Sequence, residues 1–265
     1  MKRLLGAAAI VAAVAALGWA YLHYAPARSQ RAPPLARTGG DLEWLDKLYS
    51  RNPSEVAAAT REVAHRGASA LPAIQTALRD PQSEAERLKG ALKACTILGK
   101  VAAPAIPEVA SVLTEPGLTA EAAIALSNMG ADAFAPLREG LSSDDPIVRR
   151  ESLRSIGKLT ERAPLDTGPV VKVLIQSLRD ADDGVRTVSA TYLGILHAAP
   201  EQSVPALVTA LSDTNAEVRR ESATALGSFG PAAVPAISAL RKASADTNED
   251  VAREAGRALV KLQQK

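Results

Sequence analysis

The chain has 265 residues, of which 47% are hydrophobic and only 3% aromatic, so its core must be built mainly from Ala, Leu, Val and Ile. Five of the 31 basic residues and none of the 29 acidic ones lie in residues 1–40, which leaves residues 41–265 with a net charge of −3. That charge argues against nucleic acid as a partner, because binding to a phosphate backbone rests on many clustered cations.

Residues 4–22 form an uncharged, apolar run directly after Lys2 and Arg3. At about 1.5 Å per residue this run is close to 30 Å long as a helix, enough to cross the hydrocarbon core of a bilayer. Trp19 and Tyr21 lie near its far end, where interfacial aromatic residues are common. Residues 1–24 are therefore predicted to be a membrane anchor with residues 4–22 in the bilayer.

A cleaved signal peptide is the alternative interpretation of the same segment. The basic start, the apolar run and the small residues at 25–27 resemble the three regions of such a peptide. Lys2 and Arg3 favour a cytoplasmic N-terminus, whereas three arginines after the run compete with them. We expect the body on the periplasmic side in either case, as a single-pass membrane protein or, after cleavage, as a secreted one.

Residues 25–40 are predicted to be a linker between the anchor and the body. They contain three prolines, end on Gly39-Gly40 and show no apolar periodicity. At roughly 3 Å per residue such a segment extends up to about 50 Å.

From Asp41 onward the pattern is helical, and no stretch shows the sustained alternation of a strand. The first predicted helices are 42–49 and 54–65, separated by Asn52-Pro53. Short helices with similar endings then recur, and their final leucines are 28 to 37 residues apart. Periods in this range are typical of helical solenoids. The predicted short helices are 71–78, 106–113, 134–141, 170–178, 204–211 and 234–240.

The longer helices of the later units share the phrase D-x-x-V-R at Val148-Arg149 and Val185-Arg186, and at Val218-Arg219 the aspartate stands two places earlier. A glycine follows each valine by nine places, and the spacing predicts that glycines 99, 130, 157, 194 and 227 end the longer helices as left-handed C-caps. Counting back from Gly99 and Gly130 puts Gly90 and Glu121 at the valine position of two earlier units.

This phrase, with the P-A-L/I helix that trails it, resembles the HEAT-repeat family, especially the short bacterial HEAT repeats found in phycobilisome lyase-like proteins. The resemblance covers residues 41–265 and is clearest over 142–262. It implies an all-α protein, an armadillo-type α-solenoid of about six to seven helix pairs, preceded here by one transmembrane helix.

On a helical wheel the repeated arginine lies at about 100° from the valine, inside a buried arc centred near 70°. A guanidinium in that position must be paired. We expect it to pair with the aspartate of the preceding turn, giving a structural ladder along the stack; a stripe that recognises phosphate is the alternative. The ladder residues are Arg149, Arg186 and Arg219 with Asp145, Asp182 and Asp213.

Positions two and six after the valine lie near 200° and 240°, facing away from the buried arc. In solenoids that this chain resembles, that face lines the concave side. We interpret it as a candidate partner-binding surface, with a merely solvated face as the alternative. Its residues are Arg150, Arg154, Thr187, Thr191, Arg220 and Thr224.

No catalytic, cofactor-binding or metal-binding site is expected. The three histidines, His23, His65 and His197, are too far apart in sequence for ligand spacing. The acidic segment 180–184 resembles a calcium loop only superficially, because its glycine is one place early and Thr191 stands where the final Glu belongs. Cys95, in an apolar stretch, is predicted to be a buried small hydrophobe.

These observations favour a membrane-tethered, non-enzymatic scaffold or adaptor that binds protein partners. The resemblance also implies an alternative, a phycobilisome-lyase-like or other maturation factor for a cofactor-bearing protein. That activity requires a pocket with convergent polar groups, and the few aromatic residues argue against a stacked tetrapyrrole.

Overall fold

The structure is a computed structural model that describes residues 42–162 and 165–263, and within these ranges all regular secondary structure is helical. Short 3₁₀ segments at Gly67–Ala70, Gly99–Ala105, Ala131–Ala133 and Gly230–Ala236 join some of the α-helices. The α-helices are α1 (Glu43–Lys47), α2 (Pro53–Arg66), α3 (Leu71–Arg79), α4 (Ala85–Leu98), α5 (Ile106–Ser111), α6 (Thr119–Asn128), α7 (Phe134–Gly140), α8 (Pro146–Arg162), α9 (Thr167–Ser177), α10 (Asp183–Leu196), α11 (Pro200–Ala210), α12 (Ala216–Ser228), α13 (Ile237–Ala243) and α14 (Glu249–Gln263).

The helices form two layers. The even-numbered helices α2 to α14 form the front layer, in which each helix packs directly against the next. The odd-numbered helices α3 to α13 form the back layer, where each one packs mainly on the front-layer helix that follows it. The short helix α1 lies against α2 and α4. The described residues therefore form an α-solenoid of six helix pairs closed by α14, which confirms the predicted all-α repeat architecture.

The predicted anchor at residues 4–22 and the linker at residues 25–40 lie outside the described residues. Among the helices of residues 42–162 and 165–263, none has the length and apolar character needed to cross a bilayer.

The sequence predicted that five repeated glycines would all end helices, but only some of them do. Gly99 and Gly130 follow their helices with positive φ, at 57° and 104°, as expected of a glycine after a helix. Gly157, Gly194 and Gly227, in contrast, lie inside α8, α10 and α12, so their prediction as C-caps was wrong. Each of these glycines lies against the next front-layer helix, where an added Cβ would meet atoms of that helix.

The helical glycines allow neighbouring front-layer helices to approach closely. A Cβ on Gly194 would lie 2.8 Å from the Cα of Ala225, and a Cβ on Gly227 would lie 3.0 Å from the Cα of Ala258. The same two repeat positions meet at both interfaces, so these helices are parallel and share one register. Tyr192 takes the place of the alanine where α10 packs against Gly157.

The glycine correction also changes the register of the earlier repeats. Gly99 and Gly130 correspond to Gly230, which has a φ of 55°, and not to Gly227. Counting back accordingly puts Arg87 and Leu118, instead of Gly90 and Glu121, at the valine position, called position 0 below. Position 0 is thus Arg87, Leu118, Val148, Val185, Val218 and Val251 in α4, α6, α8, α10, α12 and α14.

With this register, burial follows one pattern in all six helices. Every residue at positions 0, 4 and 8 is buried except Arg87 and Leu259, which are partly buried. In α12 the expected packing residues Val218, Ser222 and Leu226 are fully buried, as is Ala223 at position 5. The stripe is thus a continuous core that only stacking can bury.

We predict that Gly194→Ala lowers the stability of the protein whereas Gly256→Ala does not. The added Cβ at Gly194 would meet the backbone of α12, and overpacking of this kind costs about 1–3 kcal/mol, more than the roughly 1 kcal/mol that alanine contributes to helix propensity. Gly256 is the matched control, because no atom lies within 4 Å of a Cβ added there. Urea unfolding of both variants measures the difference, and equal stability changes would contradict the close-approach role.

Candidate protein-binding surface

Each repeated arginine of α8, α10 and α12 bonds to two successive turns. Arg186 donates from Nε and Nη2 to the carboxylate of Asp213, at 2.8 and 2.9 Å. Its Nη1 donates to the carbonyl oxygens of Asp180 and Ala181, at 2.8 and 3.1 Å, in its own preceding turn. Arg149 and Arg219 make the same bonds, with the carboxylates of Asp180 and Asp246 as acceptors.

The arginines therefore pair with the aspartate one repeat further along, whereas the sequence predicted the aspartate of the same turn. The reason is geometric, because position 1 points toward the next front-layer helix. Asp213 belongs to the ladder, but as the partner of Arg186 and not of Arg219.

Asp145 and Asp182 have other roles. The Oδ1 of Asp145 accepts a hydrogen bond from the backbone N–H of Ile147 at 2.8 Å, and the Oδ1 of Asp182 accepts one from Val185 at 2.9 Å. These bonds satisfy free N–H groups at the starts of α8 and α10.

The ladder shifts the ionisation of its acidic members. Burial pushes the pKa of Asp213 upward, but the hydrogen bonds from Arg186 and from the backbone N–H of Asn215 outweigh it, so the pKa lies below its ordinary value. Asp180 has a lowered pKa from the same balance. The pKa of Asp246 is lowered chiefly by its hydrogen bond from Arg219.

The solvent-facing surface of the front layer is a second shared feature. In each helix from α4 to α14, the residues 2, 6 and 10 places after position 0 are partly or fully exposed, and none is buried. We call these eighteen residues the front face. They are Lys89, Lys93, Ile97, Ala120, Ile124, Asn128, Arg150, Arg154, Lys158, Thr187, Thr191, Ile195, Arg220, Thr224, Ser228, Arg253, Arg257 and Lys261.

The inter-helix contacts show which way these positions point. Position 9 faces the following helix, as at Gly194, while position 3 faces the preceding one, as at Glu221, whose carboxylate accepts from Thr191 at 3.1 Å. Positions 2, 6 and 10 lie between these two directions on the wheel and therefore face outward. Nine of the eighteen front-face residues are basic and none is acidic.

The structure places all six sequence-predicted surface residues on the front face, but with unequal freedom. Arg150 bonds to Asp182 at 3.0 Å and lies against Gly184, so it partly serves the α8–α10 contact. Arg154 bonds to Glu151 within its own helix at 2.7 Å.

Arg220 pairs with both Glu217 and Glu221. The hydroxyls of Thr187, Thr191 and Thr224 donate to backbone carbonyls of their own helices.

Sequence reasoning missed much of the front face. Lys89 and Ile124 were hidden by the register error in α4 and α6. Lys158 and Ile195 are at position 10, a further turn along the same side of the helix, and a wheel extended by one turn would have identified them.

Other features of the described residues suggest no chemistry. Two open depressions, of about 460 and 500 Å³, are lined by residues of the α10 and α12 turns and by α14 respectively, without an aromatic side chain in either. No group of three or more potential metal ligands occurs in residues 42–162 and 165–263. Cys95 is buried, and burial above all raises the pKa of its thiol to about 12.

We predict that Arg186→Gln lowers the free energy of unfolding by about 2–4 kcal/mol, because it leaves the Asp213 carboxylate without its cationic partner and two turn carbonyls without their donor. Arg179→Gln is the control, since Arg179 is exposed in the same turn and makes no side-chain ion pair among the described residues. Chemical unfolding compares the two variants. An unchanged midpoint for Arg186→Gln would instead favour the phosphate-stripe alternative.

Acid should weaken the ladder. A lowered pKa in the folded state means that the unfolded chain binds more protons, so stability from Asp180, Asp213 and Asp246 is complete above about pH 4 and falls as the pH drops through the folded values. Asp213→Asn should therefore lose stability at neutral pH and show a shallower loss below about pH 4. Unfolding at several pH values tests this, and parallel curves for both proteins would contradict it.

The family model for HEAT repeats matches residues 171–260, about a third of the chain. No curated protein matches the chain.

Solved structures similar to this chain include two engineered proteins from the Northeast Structural Genomics Consortium. One is 23% identical with a TM-score of 0.48, over 84% of this chain and 68% of that one. The other is 22% identical with a TM-score of 0.42, over 84% of this chain and 96% of that one. A designed armadillo repeat protein in complex with the peptide (KR)4 is 19% identical with a TM-score of 0.42, over 83% of this chain and 98% of that one. Within residues 171–260, this chain resembles HEAT repeats in sequence.

Proposed function

We propose that this protein is a scaffold that binds a protein partner through the front face and is held at a membrane by residues 4–22. The observation that supports it is the front face itself, an outward surface that recurs in register on six consecutive helices. A stack of repeats offers a long surface of this kind without a deep pocket.

The ladder and the glycine contacts support the same function. Together they fix the positions of α8, α10, α12 and α14 against one another, so a partner meets a surface that is already ordered there. Aromatic anchors are few: among the described residues, Tyr49 in the turn after α1 is 37% exposed and lies beside the face, where the Nζ of Lys93 is 5.3 Å from its ring centre. Arginine and aliphatic contacts would therefore supply most of the affinity.

The membrane tether rests on the length and apolar character of residues 4–22 alone. In this proposal the linker at 25–40 sets how far the solenoid extends from the bilayer, on the periplasmic side. No observation favours the alternative of a maturation factor.

Charge reversal on the front face should abolish partner capture. The double variant Arg154→Glu, Arg257→Glu changes side chains that are 41% and 65% exposed and that pair only within their own helices. Arg150 is avoided because it also contacts α10. The control, Arg241→Glu with Lys242→Glu, changes two exposed cations of the back-layer helix α13.

The full chain, tagged at its C-terminus, is crosslinked in its native membranes and recovered proteins are quantified by mass spectrometry. Recovery of the partner should fall about tenfold or more with the front-face variant and stay unchanged with the control. Equal recovery with both variants would overturn the proposed surface.

The same preparation tests the tether. An intact N-terminus that remains in the membrane fraction after alkaline extraction is the expected result. A soluble protein that starts after residue 24 would show a cleaved signal peptide instead.

A further inference from the structure

The cations of the front face are grouped by helix. The face positions of α4, α8, α12 and α14 each include basic residues, whereas those of α6 and α10 include none. The neutral helices instead expose an isoleucine, Ile124 at 39% and Ile195 at 47%. Along the stack from α4 to α12, the face therefore alternates strictly between a cationic helix and a neutral helix with an aliphatic side chain.

The distance between neighbouring front-layer helices determines the distance over which cationic and neutral helices alternate. Packed helices are about 8–10 Å apart, and a chain in polyproline II conformation advances about 3.1 Å per residue with three residues per turn. Such a chain passes from one helix of the front layer to the next in about three residues, and residues three places apart point to the same side. Successive cationic helices are then about six residues apart along it, with an isoleucine midway.

Part of the positive charge has no anionic partner in the fold. Lys89 on α4, Lys158 on α8 and Lys261 on α14 make no ion pair within residues 42–162 and 165–263. The face arginines do have carboxylate partners, but pairs at such exposed positions contribute little to stability, so a partner's carboxylate can join them at small cost. No acidic residue stands at a face position, although Glu121, Glu151, Glu221 and Glu254 lie beside the face at position 3 of α6, α8, α12 and α14.

The neutral helices argue for a peptide over a nucleic acid. A polyphosphate gains nothing from Ile124 and Ile195, and none of the eighteen front-face residues is aromatic, so bases would have no stacking platform there. In a peptide, carboxylates can bind the cationic helices and aliphatic side chains can contact the isoleucines of the neutral helices.

We propose that the front face binds an extended acidic segment in polyproline II conformation, in which carboxylate side chains recur about every six residues and an aliphatic side chain stands midway between them on the same side. This inference rests on the proposed function and specifies the chemistry of its partner. In this proposal Lys158 binds a carboxylate of the segment and Ile195 contacts an aliphatic side chain.

Fluorescence anisotropy with the full chain in detergent micelles and synthetic peptides tests the pattern. The probe is a labelled peptide of about 13 residues with Glu at every sixth position, Ile midway and Ser or Thr elsewhere. A peptide of the same composition with its glutamates adjacent, a peptide with Lys for Glu, and a thymidine oligonucleotide are compared with it. The patterned peptide should bind about tenfold more tightly than each of these, and more weakly as salt is raised.

Matched variants locate the interaction. Lys158→Glu should weaken binding of the patterned peptide about fivefold or more, whereas Lys172→Glu on the back-layer helix α9 should not. Ile195→Ser should weaken it as well, with Val234→Ser as its control, because both side chains are 47% exposed. All four positions are at the surface, and thermal melting checks that each variant stays folded.

Equal binding of the patterned and clustered peptides, tighter binding of the oligonucleotide, or no difference between front-face and control variants would overturn the inference. The crosslinking experiment depends on the front face but not on the acidic pattern. A face-dependent partner that lacks the pattern would therefore remove this inference and leave the scaffold function in place.

Discussion

The arginine at position 1 of α8, α10 and α12 connects neighbouring repeats at three points at once. Two of its nitrogens bond to the carboxylate of the next turn, while the third bonds to carbonyls of its own turn. A side chain that is only 13% exposed, as for Arg186, can carry its charge there because each donor group has an acceptor. From α8 to α14, this fixed relation between neighbours supports the helix spacing, the burial of the stripe and the outward direction of the front face.

The earlier repeats reach the same architecture with different contacts. Leu88 and Thr119 stand at position 1 of α4 and α6, so no arginine ladder joins these helices. Arg87 instead bonds to Asp46 of α1 at 2.7 Å, and Arg79 bonds to the buried carboxylate of Glu108 between back-layer helices. Tertiary packing of the apolar stripe is therefore sufficient for stacking, and the ladder is an addition confined to the region from α8 to α14.

The sequence allowed prediction of the repeats and the buried stripe, because both depend on local periodicity. It did not identify the ladder partners: Asp182 was assigned to Arg186, because a wheel angle gives a direction around one helix and not the neighbour that lies there.

The ends of the longer helices were predicted wrongly for a related reason. Gly227 inside α12 and Gly230 after it look alike in sequence, and only the backbone shows that one lies beside Ala258 while the other has a positive φ. That three-residue error shifted the predicted register of α4 and α6, so Lys89 and Ile124 were not predicted to be on the front face.

Gly194 and Gly227 have a consequence beyond packing. Because they set how closely α10, α12 and α14 approach, they also set the distances between the outward side chains of these helices. The spacing of the front-face side chains is therefore fixed by residues in the interior of the solenoid. Substitution of an interior glycine would change that spacing, and with it the spacing of partner side chains that fits, without altering any residue of the front face.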